Sequence, residues 1–160
     1  MRFLKSVKYA FRGIVYCINN ERNMRIHTVI ALYVFVFSFF FGLSCTQYAV
    51  LFLTFSSVMA AEMFNSVAEA LSDMTAASFN QVVRIIKDMA SGGVLIAAVF
   101  SVCVGVCLFW RPAVFSKIVR YFAASPPLAA LLAAVTFLCV IYIMMGPLGI
   151  RDFVHRRRNK

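Results

Sequence analysis

Residues 26 to 61 read IHTVIALYVFVFSFFFGLSCTQYAVLFLTFSSVMAA, a run of 36 residues without a formal charge between Arg25 and Glu62. As one helix it would be about 54 Å long, against a hydrocarbon core of roughly 30 Å. The run therefore predicts two membrane spans, with the break at Gly42-Leu43-Ser44-Cys45-Thr46-Gln47, its polar, turn-prone part. This places helices near 28–43 and 48–70. Further along, Val94 to Trp110 is again uncharged, follows the small residues before it, and ends at Trp110-Arg111-Pro112, an interfacial aromatic and a cation followed by a helix stop. That gives a third span at 91–110. A fourth, about 127–146, closes at Gly146-Pro147. With 62% hydrophobic residues, 14% charged and a mean hydropathy of +0.86, a water-soluble globule is excluded. The fold expected is all-α integral membrane.

The cations set the expected orientation. Thirteen of the 16 Lys and Arg residues fall before the first span, between the second and third (Arg84, Lys87), or after the fourth; only Arg111, Lys117 and Arg120 fall on the other side. The positive-inside rule puts both termini and the middle loop in the cytoplasm. Residues 1–19 place Arg2, Lys5, Lys8 and Arg12 on one helical arc and Phe3, Leu4, Val7, Phe11, Ile14 and Val15 on the opposite one, the pattern of a helix lying on the membrane surface. No cleavable signal is expected, because this segment lacks an apolar core with a small-residue cleavage site. A net charge of +10 concentrated at the ends of apolar runs favours anionic headgroups over nucleic acid as the partner. The five cysteines, odd in number and mostly inside apolar runs, read as helix fillers rather than a disulfide framework.

The six acids carry the chemical signal. Glu62, Asn65, Glu69 and Asp73 lie at i, i+3, i+7 and i+11, one stripe of a helix otherwise built from Phe, Val, Met and Ala. Carboxylates near hydrocarbon cost a few kcal/mol on insertion scales, and two of them a turn or two apart repel each other unless something positive compensates. A Mg²⁺ nucleotide fits, because that ion takes oxygen ligands from one or two carboxylates and from phosphates. The alternatives from spacing alone are ion pairs with Arg22 or Arg25, or a water-filled crevice. A second cluster, Glu21-Arg22-Asn23-Met24-Arg25-Ile26-His27, reads by itself as headgroup-level charge with Arg22 and Arg25 on lipid phosphates. A third, Arg84-Ile85-Ile86-Lys87-Asp88-Met89-Ala90-Ser91-Gly92-Gly93, is either a basic anchor with room for close helix packing or a phosphate-binding turn.

Taken together, Glu62-Met63-Phe64-Asn65-Ser66-Val67-Ala68-Glu69 with Asp73 after it, Lys87-Asp88-Met89-Ala90-Ser91-Gly92-Gly93 downstream and Glu21 upstream resemble the bacterial diacylglycerol kinase and undecaprenol kinase family, over about residues 3 to 110. The resemblance implies an ATP- and Mg²⁺-dependent kinase for a membrane lipid alcohol, sited at the cytoplasmic face of the bacterial plasma membrane. It assigns Glu62 as catalytic base with Asn65 orienting the reacting groups, Glu21 and Glu69 as metal-binding carboxylates, and Lys87 and Asp88 to ATP. Tyr9 and Arg12 match further ATP-site positions, and Asp73 and Ser91 positions near the lipid. It further implies a homotrimer whose active sites are shared between subunits, and a domain plan of a kinase domain over 1–110 followed by 111–160, an extra span and basic tail that the three-span family plan lacks.

Two competitors are weighed. Glu21-Arg22-Asn23 and Arg25-Ile26-His27 resemble the undecaprenol kinase branch, which favours a polyprenol over diacylglycerol. A silent scaffold or a cation pathway is opposed by the presence of every matched chemical residue and by the confinement of the acids to one membrane face, since half a pore conducts poorly.

Overall fold

The computed structural model describes residues 2–75 and 80–158, with side chains over 2–74 and 80–152. Among the described residues there is no strand. Helix α1 is Arg2–Asn20, α2 Arg22–Ser38, α3 Cys45–Thr75, α4 Gln81–Phe109, α5 Pro112–Ala123 and α6 Pro126–Arg158, with one 3₁₀ turn at Phe39–Phe41. Four of these segments, Arg22–Phe41, Cys45–Met74, Gln81–Phe109 and Pro126–Asp152, are long and apolar enough to cross a bilayer. The tail cations Arg156, Arg157, Arg158 and Lys160 lie outside the residues whose side chains are described.

The break in the long apolar run falls where its chemistry predicts, and three local devices make it. The 3₁₀ turn tightens the end of α2. Gly42 then takes a left-handed conformation (φ 56°, ψ 51°), which a residue with a Cβ adopts at a penalty. Finally Ser44 and Gln47 form a reciprocal cap: the Ser44 backbone N–H donates to Gln47 Oε1 at 2.9 Å, and the Gln47 N–H donates to Ser44 Oγ at 3.3 Å. Two amide donors at the start of α3 are satisfied in this way, as in a capping box. At the start of α4, Asn80 acts similarly, accepting the Val82 N–H on Oδ1 at 2.9 Å.

The helices overrun the expected spans. The first begins at Arg22 rather than near 28, and the third at Gln81 rather than 91, because charged residues at the headgroup level extend a helix without having to enter hydrocarbon. One expectation is corrected outright. The segment after Trp110 is no simple loop: Pro112 stands at the first position of α5, where its missing N–H is no loss. Gly146-Pro147 closes the helix that begins at Pro126, as its chemistry predicts: Gly146 leaves helical geometry (φ 67°, ψ 169°), and a further helical segment follows this kink.

By contacts the chain divides into two units, one of residues 1–17 and 43–108, the other of 18–42 and 109–160. In the first, α3 and α4 are joined by polar side chains described below, while the apolar residues of α4, among them Leu95, Ile96, Val99, Phe100 and Val106, are exposed. In the second, α5 and α6 pack on α2 and its 3₁₀ turn. Phe41 meets Phe109 and Phe115 edge-on at 4.9 and 5.5 Å between ring centroids, Phe40 meets Tyr121 at 5.7 Å, and the Tyr33 and Thr136 hydroxyls lie 2.7 Å apart. Arg111 Nη1 donates to the Phe41 carbonyl at 2.9 Å, pinning the start of α5 to the end of the 3₁₀ turn.

A Cβ at position 42 would meet nothing within 4 Å, so any penalty there is one of backbone conformation alone. Gly42→Ala is expected to lower the unfolding free energy in detergent by about 1–2 kcal/mol, and Gly42→Asn by less because Asn tolerates left-handed geometry. Equal losses in the two variants would contradict this account.

Candidate functional site

Helix α3 carries the site because its polar residues recur at helical spacing on one face, and the structure orders them by depth. Glu62 is 1% exposed and Asn65 is buried; Glu69 is half-buried, and Asp73 is exposed near the helix end. The stripe thus runs from the interior outward.

Asn65 is the hub. Its Nδ2 donates to Glu69 Oε1 at 2.9 Å, one turn along, and its Oδ1 accepts from Ser91 Oγ on α4 at 3.2 Å. Donor and acceptor of one amide are therefore both engaged, and the amide's orientation is fixed by its neighbours. Further out, Lys87 Nζ on α4 donates to Asp73 Oδ1, a second tie between the same helices. Arg84 and Asp88 face each other at 3.9 Å along α4, both well exposed. On α1, the Arg12 guanidinium lies over the Tyr9 ring at 5.9 Å, with both side chains exposed.

Of the residues expected from sequence, the structure thus brings Asn65, Glu69 and Ser91 into one hydrogen-bonded group and pairs Lys87 with Asp73. It joins Tyr9 and Arg12 to each other, and Asp88 to Arg84. Glu21 belongs to the other unit, where it is the extended residue (φ −100°, ψ 119°) between α1 and α2. The Lys87–Asp73 pair was not legible in the sequence, which offered Lys87 to phosphate and Asp73 to the substrate separately. Two further residues were missed. Ser66 Oγ donates to the Glu62 carbonyl at 3.0 Å and lies 3.4 Å from the buried Cys17 Sγ of α1, joining the end of that helix to the residue next to the stripe. The available signal was Ser66 at i+4 from Glu62.

Among the described residues, no three His, Cys, Asp or Glu side chains converge into a metal cluster. A divalent ion shared with nucleotide phosphates does not need one, since one or two protein carboxylates suffice. Glu69 fits that role: it is half-buried, held through one oxygen by Asn65, and a carboxylate has lone pairs left for an ion.

This geometry defines a small helical membrane protein with a buried carboxylate and an amide-anchored second carboxylate on one span. Residues 8–109 match the family model for prokaryotic diacylglycerol kinase. The chain is 38% identical over 110 residues to a diacylglycerol kinase of Synechocystis sp., an alignment covering 68% of this chain and 63% of that protein's length. It is 31% identical to the undecaprenol kinase of Bacillus subtilis, covering 68% of this chain and 88% of that one, and 28% identical to the diacylglycerol kinase of Escherichia coli, covering 68% and 89%. The chain belongs to the prokaryotic diacylglycerol kinase family and is a multi-pass membrane protein. Helices α5 and α6 lie beyond the matched segment.

Replacing the hub tests its geometry. Asn65→Asp puts an acceptor where Glu69 now receives a donor, and is expected to destabilise the folded protein in detergent by about 1–3 kcal/mol. Ser91→Ala removes only the bond to Oδ1 and should lose about 0.5–1.5 kcal/mol. Unfolding titrations in which the two variants lose equally would contradict a hub at Asn65.

Proposed function

We propose that the protein is a lipid kinase that transfers the γ-phosphoryl group of ATP to the hydroxyl of a membrane lipid alcohol. The observation that carries this is the buried carboxylate of Glu62 one turn from the Asn65–Glu69 pair, in a chain of this family. Phosphoryl transfer asks little covalent chemistry of a protein and a good deal of positioning and charge neutralisation. In this reading Glu62 takes the proton of the lipid hydroxyl as its oxygen attacks the γ-phosphorus and ADP departs. Asn65 orients the reacting groups, and its own two hydrogen bonds keep it in place. Glu69 and Glu21 would hold Mg²⁺, which neutralises phosphate charge when bound. Lys87 would exchange Asp73 for phosphate oxygens, as a flexible point charge can. Asp88, Tyr9 and Arg12 complete the nucleotide side, and Ser91 and Asp73 border the lipid.

The same reading places the termini and the site in the cytoplasm, on the distribution of cations. A homotrimer with shared sites accords with the apolar face that α4 leaves exposed. On substrate, Glu21-Arg22-Asn23 and Arg25-Ile26-His27 support undecaprenol, whereas the 38% identity is to a protein named diacylglycerol kinase.

Purified protein assayed side by side on defined diacylglycerol and undecaprenol is expected to turn over the polyprenol faster; equal or greater turnover on diacylglycerol removes the polyprenol preference. In the same assay Glu62→Gln should lower kcat by at least about 10²-fold with nucleotide binding nearly intact. Near-native turnover in that variant sinks the base assignment. Glu69→Gln should raise the Mg²⁺ concentration needed for half-maximal rate, and an unchanged titration would argue against metal binding there.

A further inference from the structure

Arg25 is a cation on a membrane-spanning helix, yet it is only 7% exposed. Its guanidinium makes three hydrogen bonds to backbone carbonyls. Nη1 donates to Ile18 O at 3.1 Å and to Asn19 O at 3.0 Å, and Nε donates to Ile143 O at 3.1 Å.

Each of these acceptors has lost its helical partner. Ile18 and Asn19 lie in the last turn of α1, where carbonyls have no intrahelical donor. Ile143 lies four residues before Pro147, which has no N–H to return to it. Gly146 completes the arrangement twice over. Its positive φ makes the kink that presents the Ile143 carbonyl, and a Cβ at this position would come within 3.0 Å of Arg25 Nη1 and 3.2 Å of Cζ. Beside it, Arg22 Nη2 lies 3.3 Å from Met144 Sδ.

Glu21 lies in sequence inside the segment that these contacts pin. It is the residue between the α1 carbonyls that Arg25 holds and Arg25 itself, and its own carbonyl accepts the Arg25 N–H at 3.4 Å. We propose that the C-terminal helix α6, through its Gly146-Pro147 kink, docks on Arg25 and so fixes the α1–α2 turn that presents Glu21, making Arg25 a positioning residue for nucleotide and metal binding. The extra helix beyond the family-matched segment is then a working part of the kinase rather than an appendage. The tie itself stands on the contacts above; its consequence for Glu21 rests on the function proposed in the preceding section.

The test uses the full chain in lipid bicelles with three variants: Arg25→Lys, which keeps the charge but cannot bridge three carbonyls; Gly146→Ala, which intrudes on the guanidinium; and the two combined. The first readout is hydrogen exchange of the backbone amides of residues 18–26, which needs no activity. Each single variant should raise exchange there at least tenfold, and the double variant should be no faster than the worse single one. Unchanged exchange in both singles, or fully additive effects, overturns the tie. The second readout is kinetic. Arg25→Lys should raise KM for Mg-ATP about tenfold and leave KM for the lipid alcohol within twofold, a split that mere loss of folded protein would not produce. Faster exchange with both KM values unchanged overturns the positioning role. Wild-type protein with the expected exchange pattern and no kinase activity would contradict the kinase reading while leaving the tie in place. If Gly146→Ala fails to fold, Arg25→Lys alone decides both readouts.

Discussion

Hydrocarbon supplies no hydrogen bonds, so every polar group placed in or near it needs a partner built into the chain. Most of the structure's particular features answer to that constraint. Ser44 and Gln47 cap α3 reciprocally at the break between spans; Arg111 closes the carbonyl of Phe41; Asn65 spends both ends of its amide on Glu69 and Ser91. The polar stripe of α3 exists in spite of this constraint, and a buried Glu62 there is the kind of intramembrane acid that marks a functional site. Ordering by depth follows too, with the acid that would meet a lipid hydroxyl innermost and the Lys87–Asp73 pair outermost.

Much of this was legible in the sequence because it is local and periodic. The break at 42–47 is written in Gly42 and in the Ser-x-x-Gln pattern that follows it. The stripe of Glu62, Asn65, Glu69 and Asp73 follows from about 100° per residue and nothing more. What could not be read was tertiary. Lys87 and Asp73 lie on different helices, and only packing pairs them. The stops at Trp110-Arg111-Pro112 and Gly146-Pro147 were read correctly, but each proline also opens the helical segment that follows, and nothing in the local pattern announced that. Arg25 read as a headgroup contact because a cation at a span's edge ordinarily is one. Its burial depends on carbonyls six and seven residues earlier, left unpaired by the end of α1, and on one freed by a proline far along the chain, which lies too far off for local reading.

Helices α5 and α6 are thus tied to α2 and its 3₁₀ turn by more than succession. Residues 8–109 carry the family's sequence, while α5 and α6 add aromatic packing under the 3₁₀ turn and a carbonyl for Arg25. Helix α6 supplies a backbone acceptor to a buried charge, and a buried charge without such partners is strongly destabilising.

The central claim is that the stripe on α3 serves phosphoryl transfer to a lipid. The most direct measurement is transfer of labelled γ-phosphate from ATP to a total bacterial lipid extract by the purified, folded protein, with and without Mg²⁺, the products resolved by chromatography. A labelled lipid monophosphate that forms with Mg²⁺ and vanishes without it is the predicted result. No labelled lipid from any fraction of the extract would contradict it, and would leave the stripe a structural feature of a membrane scaffold.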